Sequence, residues 1–176
     1  MQRFFISCLT ILTVLFGLTA CGQKNEINLS TDVRSYYLIR HAEKDKGDNP
    51  GLTEAGQARA EALVTKLAEK NITHIYSSNY RRTMETATPL SNATGIEISI
   101  YDPSDLSGLA EDIKYRPGNY VIVGHSNTTP VLASLISGKP MDVMDEDEYD
   151  RFIELHLNAM GETEDWGIGT YGKTKP

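Results

Sequence analysis

The chain has 176 residues, 40% of them apolar, and a formal charge of −7 from 17 basic and 24 acidic side chains. That length suits one domain. The acidic balance argues against a general nucleic-acid binder and against adhesion to an anionic lipid surface. Any anion site must therefore be local.

In chain order, Arg3 precedes an apolar run from Phe4 to Leu18 that is short for a membrane span. Leu18-Thr19-Ala20-Cys21 follows and resembles a bacterial lipobox. The resemblance implies cleavage before Cys21 and a diacylglycerol on its thiol. An ordinary secretory signal cut after Ala20 and a retained transmembrane helix are the other readings. The lipobox is preferred because small residues and a cysteine fall directly after the apolar run. On that reading residues 1–20 are a signal peptide, 21–33 a lipidated cysteine with a polar tether, and 34–176 the domain. Cys8 leaves with the signal, so the mature domain has no thiol for a disulfide, a zinc site or cysteine catalysis. The expected place is the bacterial cell envelope, held by lipid and facing the periplasm. Gly22 stands where an aspartate retains many lipoproteins at the inner membrane, so the outer membrane is also open.

Arg34 to Ile39 predicts a strand. Thr53 is a candidate N-cap for a helix whose stripe runs Ala55, Ala58, Ala62, Leu63, Leu67 and Ala68, with Asn71 near its end. Ile72 to Ser77 predicts the second strand. Arg82 to Ala93 predicts a helix bent near Pro89 and ended by Gly95. Glu97 to Tyr101 predicts the third strand, and Ser104 or Asp105 caps a short helix to about Lys114. After a Pro117-Gly118 turn, Tyr120 to Val123 predicts the fourth strand. A helix begins at Pro130 and stops at Gly138 and Pro140. Phe152 to Leu157 predicts a strand, Asn158 to Trp166 a turn, and Ile168 to Tyr171 an edge strand. Strands alternating with helices predict an α/β fold with βαβ units and a mostly parallel sheet.

Three predicted strands run into basic or histidine-bearing turns: Arg40-His41, Ser77-Ser78-Asn79-Tyr80-Arg81-Arg82, and Gly124-His125-Ser126-Asn127. Ligands of open α/β sheets bind at the carboxyl ends of strands. Phosphoryl transfer needs a nucleophile and donors around the phosphoryl oxygens. Arg40, Arg82 and His125 can supply the donors, which leaves His41 as the attacking imidazole. Backbone N–H groups at Ser126 and Asn127 join them at the next helix start. Taken singly, Arg40 reads better as half of a strand-end ion pair and His125 as a capping or core-edge histidine. Their joint occurrence favours a shared phosphate site.

These motifs in order, with Leu52-Thr53-Glu54-Ala55-Gly56 between the first two, resemble the histidine phosphatase superfamily in its phosphoglycerate-mutase-like branch. The resemblance covers most of the chain after residue 33. It implies a three-layer α/β/α fold and a phosphohistidine on His41. In the family motif two serines precede the binding arginine by four and five positions, and Thr-Ala follows, which selects Arg82 and leaves Arg81 on the surface. Ser78 and Thr86 then support the turn. The family places a general acid after the third strand, where Asp102, Asp105 and Glu111 fall; Asp105 is preferred over Asp102 because it sits at a helix start facing the sheet end, and the alternative is that both simply cap turns and helices. Without an acid, substrates with good leaving groups, such as phosphohistidine and acyl phosphates, are favoured. Ala42 and Gly47 stand where better-known members carry glycine and asparagine. The chain lacks the insertions that cover the pocket in mutases.

The expected activity is therefore a phosphatase acting on a small phosphorylated substrate without metal or cofactor. A mutase-type phosphotransferase and a non-catalytic phosphate-binding envelope lipoprotein are the rivals. Glu43 is either an orienting group or a solvated carboxylate. His74 reads as a strand residue. The acidic run Asp142 to Asp150 lacks a calcium-loop pattern and reads as a solvated turn whose charge turns away polyanions.

Overall fold

The computed structural model describes residues 34–173. The segments expected to form the signal peptide, the lipidated Cys21 and the tether lie outside the described residues. Ten elements follow in order: β1 (Arg34–Arg40), α1 (Glu54–Leu67), β2 (His74–Ser78), α2 (Arg81–Thr94), β3 (Ile98–Tyr101), α3 (Leu106–Lys114), β4 (Gly118–Gly124), α4 (Thr129–Ser137), β5 (Arg151–Leu157) and β6 (Thr163–Thr170). The predicted alternation is present. Gly95 and Gly138 end α2 and α4 in the left-handed conformation that the missing Cβ permits.

The tail departs most from expectation. The turn closes within Asn158–Glu162, and β6 pairs from Thr163 onward. The Asn158 side-chain oxygen accepts from the N–H groups of Met160 and Glu162 at 2.9 and 3.0 Å, which folds the chain back early. The polar start of β6 hid it, because an exposed edge strand need not alternate.

The six strands run in the order β3-β2-β4-β1-β5-β6. Pairings among β1 to β4 are parallel, while β5 and β6 are antiparallel additions, so the sheet is mixed. Segment 138–150 explains the change. It returns from the end of α4 to the carboxyl end of β1 before β5 begins there, with Ile39 opposite Phe152. A strand entered from that end must run backward.

β1 is buried along its whole length and alternates between two cores. Tyr36 and Leu38 pack with Ile113, Tyr120, Leu132 and Ile136, the face of α3 and α4. Tyr37 and Ile39 pack with Leu63, Leu67, Leu90 and Val123, the face of α1 and α2. Two helical layers thus enclose the sheet. Each fully buried large apolar side chain contributes roughly 1.5–3 kcal/mol. His74 stacks on Tyr120 at 4.5 Å, and Tyr120 on Tyr36 at 5.1 Å, so His74 is a strand residue as expected. Among the described residues, no helix is long and apolar enough to cross a membrane.

Thr53 caps α1 by accepting from the Gly56 N–H at 3.1 Å. A Cβ at Gly56 would run into the Glu43 carbonyl, so the helix can approach the turn after β1 only through a glycine. Gly56→Ala is expected to cost about 1–3 kcal/mol in denaturant unfolding, despite alanine's better helix propensity. Unchanged or greater stability would mean that this close approach is not a constraint.

Candidate active site

β1 and β4 are neighbours in register, with Arg40 opposite Gly124. His41 continues the ladder by donating its N–H to the Gly124 carbonyl at 2.9 Å. His41 and His125 thus leave two adjacent strands at one level, and their rings meet edge-on at 5.5 Å. The helix after β1 packs on one face of the sheet and the helix after β4 on the other. The crevice between these strand ends is the switch point where ligands of open sheets bind.

A cleft of about 410 Å³ opens there, lined by Arg40, His41, Arg82, His125 and the Ser126–Asn127 turn, among others. The predicted phosphate-site residues are thus brought together. The cleft concentrates positive charge in a chain of net charge −7.

His41 is 2% exposed. Its Nδ1 lies 2.8 Å from the Ala42 carbonyl. A carbonyl only accepts, so Nδ1 carries the proton and Nε2 keeps its lone pair. The ring is held by its neighbours. The Ala42 N–H donates to Thr86 Oγ1 at 3.0 Å, and Thr86 donates to the Arg82 carbonyl at 2.7 Å. Thr86 therefore supports the turn, as expected.

His125 has the opposite tautomer. Arg82 Nη2 lies 3.2 Å from its Nδ1, and a guanidinium only donates. The ring proton is then on Nε2 and donates to Ser78 Oγ at 2.9 Å, which passes to Thr83 Oγ1 at 3.1 Å. Both nitrogens are engaged, so in this arrangement His125 holds Arg82 in place. Ser78 is a support and not a nucleophile.

Burial pushes the His41 imidazole down to about 3, with Arg40, Arg82 and His125 adding repulsion against the opposing Ala42 hydrogen bond. Burial, then Arg82 and Arg40, push His125 down to about 4. Both rings are expected to be neutral at pH 5, and histidine nitrogen NMR should show Nδ1–H for one and Nε2–H for the other. A His41 titration near its ordinary value of about 6.5 would contradict this. Because the folded values lie below the unfolded one, these rings contribute stability above about pH 6.5. That stability is lost as pH falls from there through the folded values.

Arg40 is 2% exposed. Its Nη1 donates to the carbonyls of Asp145 and Glu146 at 2.9 Å each and of Glu148 at 3.4 Å. The acidic run is therefore more than a solvated turn. Its backbone seats the guanidinium, its Met144 is buried, and the Tyr149 ring lies 4.4 Å from Arg40 Cζ. The Nε atoms of Arg40 and Arg82 are buried with no hydrogen-bond partner among the described residues. Two guanidiniums lining one crevice suit a polyoxygenated anion.

Asp105, the expected general acid, does not line the cleft. Its carboxylate caps α3 by accepting from the Gly108 N–H at 2.9 Å. Helix-start chemistry outcompetes a catalytic role there, because an orphan N–H lies within reach. Asp102 is likewise turned to Ser104. Glu43 is neither an orienter nor solvated: it pairs with the buried Arg59 at 2.7 Å, which also donates to the Tyr171 carbonyl. Arg81 is exposed and paired with Glu85, as expected. Sequence reasoning missed Lys44, Tyr80, Ser104 and Glu146 at the cleft. Tyr80 had a signal, being inside the quoted Ser77 to Arg82 turn, and Lys44 follows closely on Arg40-His41. Among the described residues no group of three or more His, Cys, Asp or Glu could hold a metal.

The histidine phosphatase superfamily (branch 1) model matches residues 36–103 of the chain. A relative named probable phosphoglycerate mutase GpmB, from Escherichia fergusonii, is 37% identical over 76 residues, which are 38% of this chain and 34% of that protein. The solved structure of the protein histidine phosphatase SixA with tungstate superposes with a TM-score of 0.60 at 12% identity, covering 78% of this chain and 95% of that one. A mycobacterial glucosyl-3-phosphoglycerate phosphatase gives 0.58 at 14% identity, covering 81% and 100%. The mixed six-stranded sheet with four helices is the fold these structures share with the chain.

Proposed function

We propose, from the match of residues 36–103 to the histidine phosphatase superfamily model, that this chain belongs to that superfamily and is a phosphatase that works through a phosphohistidine on His41. The observation that carries the reading is the His41 tautomer: the Nδ1–H bond to Ala42 leaves Nε2 as a lone-pair nucleophile in a cleft that Arg40 and Arg82 also line. Nε2 attacks the phosphorus and the P–O bond to the leaving group breaks. Water then attacks the phosphohistidine, returning the electron pair to Nε2 and releasing phosphate. Arg40 and Arg82, with the N–H groups ahead of α4, hold the phosphoryl oxygens as charge spreads onto them. His125 steers Arg82.

Hydrolysis is favoured over a mutase reaction. Among the described residues no separate lid covers the cleft, and a mutase must keep its phosphoenzyme from water. The substrates in view are small phosphomonoesters or phosphohistidine, with no metal required. The lipobox-like Leu18-Thr19-Ala20-Cys21 supports a lipid anchor in a bacterial envelope.

The test offers p-nitrophenyl phosphate with EDTA present, followed by a quench for acid-labile protein phosphate. Turnover with trapped phosphate is expected. A folded protein showing neither, with phosphohistidine and several phosphoesters also offered, would favour a phosphate-binding lipoprotein. Phosphate retained on carbon in the product would favour the mutase.

A further inference from the structure

We infer that Glu146 is the residue that protonates the leaving group and then activates the hydrolytic water. The inference rests on the phosphatase reading above. Among the described residues, Glu146 is the only carboxylate lining the phosphate cleft. The carboxylates after β3 are committed elsewhere, Asp105 to the start of α3 and Asp102 to Ser104.

The position of Glu146 is built. Arg40 accounts for both sides of it: Nη1 takes the Glu146 carbonyl at 2.9 Å, and Nη2 lies 3.6 Å from Glu146 Oε2. The surrounding turn is closed by the Glu148 N–H donating to the Asp145 carbonyl at 3.1 Å. Arg151 ties it again, donating to the Asp142 carbonyl at 2.7 Å and to the Glu148 carboxylate. A fixed backbone therefore carries a side chain that is 91% exposed and free to reach the cleft mouth.

The chemistry follows from a shared guanidinium. A carboxylate and a phosphate dianion both drawn to Arg40 repel each other, and one proton between them removes the repulsion. When His41 Nε2 bonds to phosphorus and the P–O bond breaks, the proton passes from Glu146 to the departing oxygen. In the second half Glu146 accepts a proton from the attacking water as the N–P bond breaks. Protons and charges balance over the cycle, and no co-reactant beyond water is needed.

The test compares Glu146→Gln with the parent full-length chain in detergent. Phenyl phosphate, a poor leaving group, and dinitrophenyl phosphate, a good one, are the probes. Turnover of phenyl phosphate is expected to fall on the order of 10²-fold. Phosphoryl transfer from dinitrophenyl phosphate should fall far less, so the leaving-group dependence steepens. Acid-labile phosphate should accumulate, because the water step has lost its base. A merely structural role would move none of these selectively, and thermal unfolding checks that the variant is folded. Equal losses in the phosphoryl-transfer step for both substrates, or none in that step with phenyl phosphate, would overturn the inference while leaving the phosphohistidine on His41 in place. A parent that forms no acid-labile phosphate would overturn both.

Discussion

His41→Ala is expected to abolish trapped acid-labile phosphate and to lower turnover on the order of 10⁴-fold or more. The loss is that large because, among the described residues, neither Ser78 nor His125 is free to take the place of His41. Ser78 donates to Thr83 and accepts from His125, and His125 has its lone pair turned to Arg82. The fold should survive, since the strand pairing through the His41 N–H to Gly124 is a backbone bond. A folded His41→Ala protein that still trapped phosphate would place the nucleophile elsewhere. Turnover without trapping in the parent would point to direct attack by water.

Arg40→Ala is the second large effect, and it should strike stability and activity together. Removing the guanidinium leaves carbonyls of Asp145, Glu146 and Glu148 without their donor and takes the cation from the Tyr149 ring. At roughly 1–3 kcal/mol for a buried acceptor left unpaired, and with the turn partly exposed, a loss on the order of 3 kcal/mol is expected in denaturant unfolding. Activity should fall at least about 10³-fold, because a phosphoryl donor and the anchor of Glu146 go together. Arg82→Ala separates the two effects. Its guanidinium meets only His125 Nδ1 and the Tyr80 ring among the bonds and ring contacts described. Activity should fall by about 10²–10³-fold with a smaller change in unfolding. Equal stability losses for the two variants would mean that the turn does not depend on Arg40.

Much of the fold is legible from local chemistry. Apolar runs gave β1 and β4, the Thr53 cap gave the start of α1, and glycines gave the ends of α2 and α4. What failed was local in another sense. β6 begins in a polar stretch, and the turn before it is closed by the Asn158 side chain, which periodicity does not register. Asp105 looked like an acid because it opened a helix at the right end of the sheet. That same position supplied the N–H that occupies it.

The sequence by itself determined the strand-end chemistry: a histidine and two arginines must sit where parallel strands stop, because charged groups there need a ligand to justify them. Only the tertiary structure decided that β1 and β4 are neighbours, which puts His41 and His125 side by side. It also decided the two tautomers, since a ring nitrogen's proton is set by the atom it faces. Segment 138–150 shows the limit most clearly. Its acidic run is polar and without period in the sequence, and no spacing rule connects it to Arg40. Strand direction connects them: an antiparallel β5 must be entered from the end where the site lies, so the chain has to cross it.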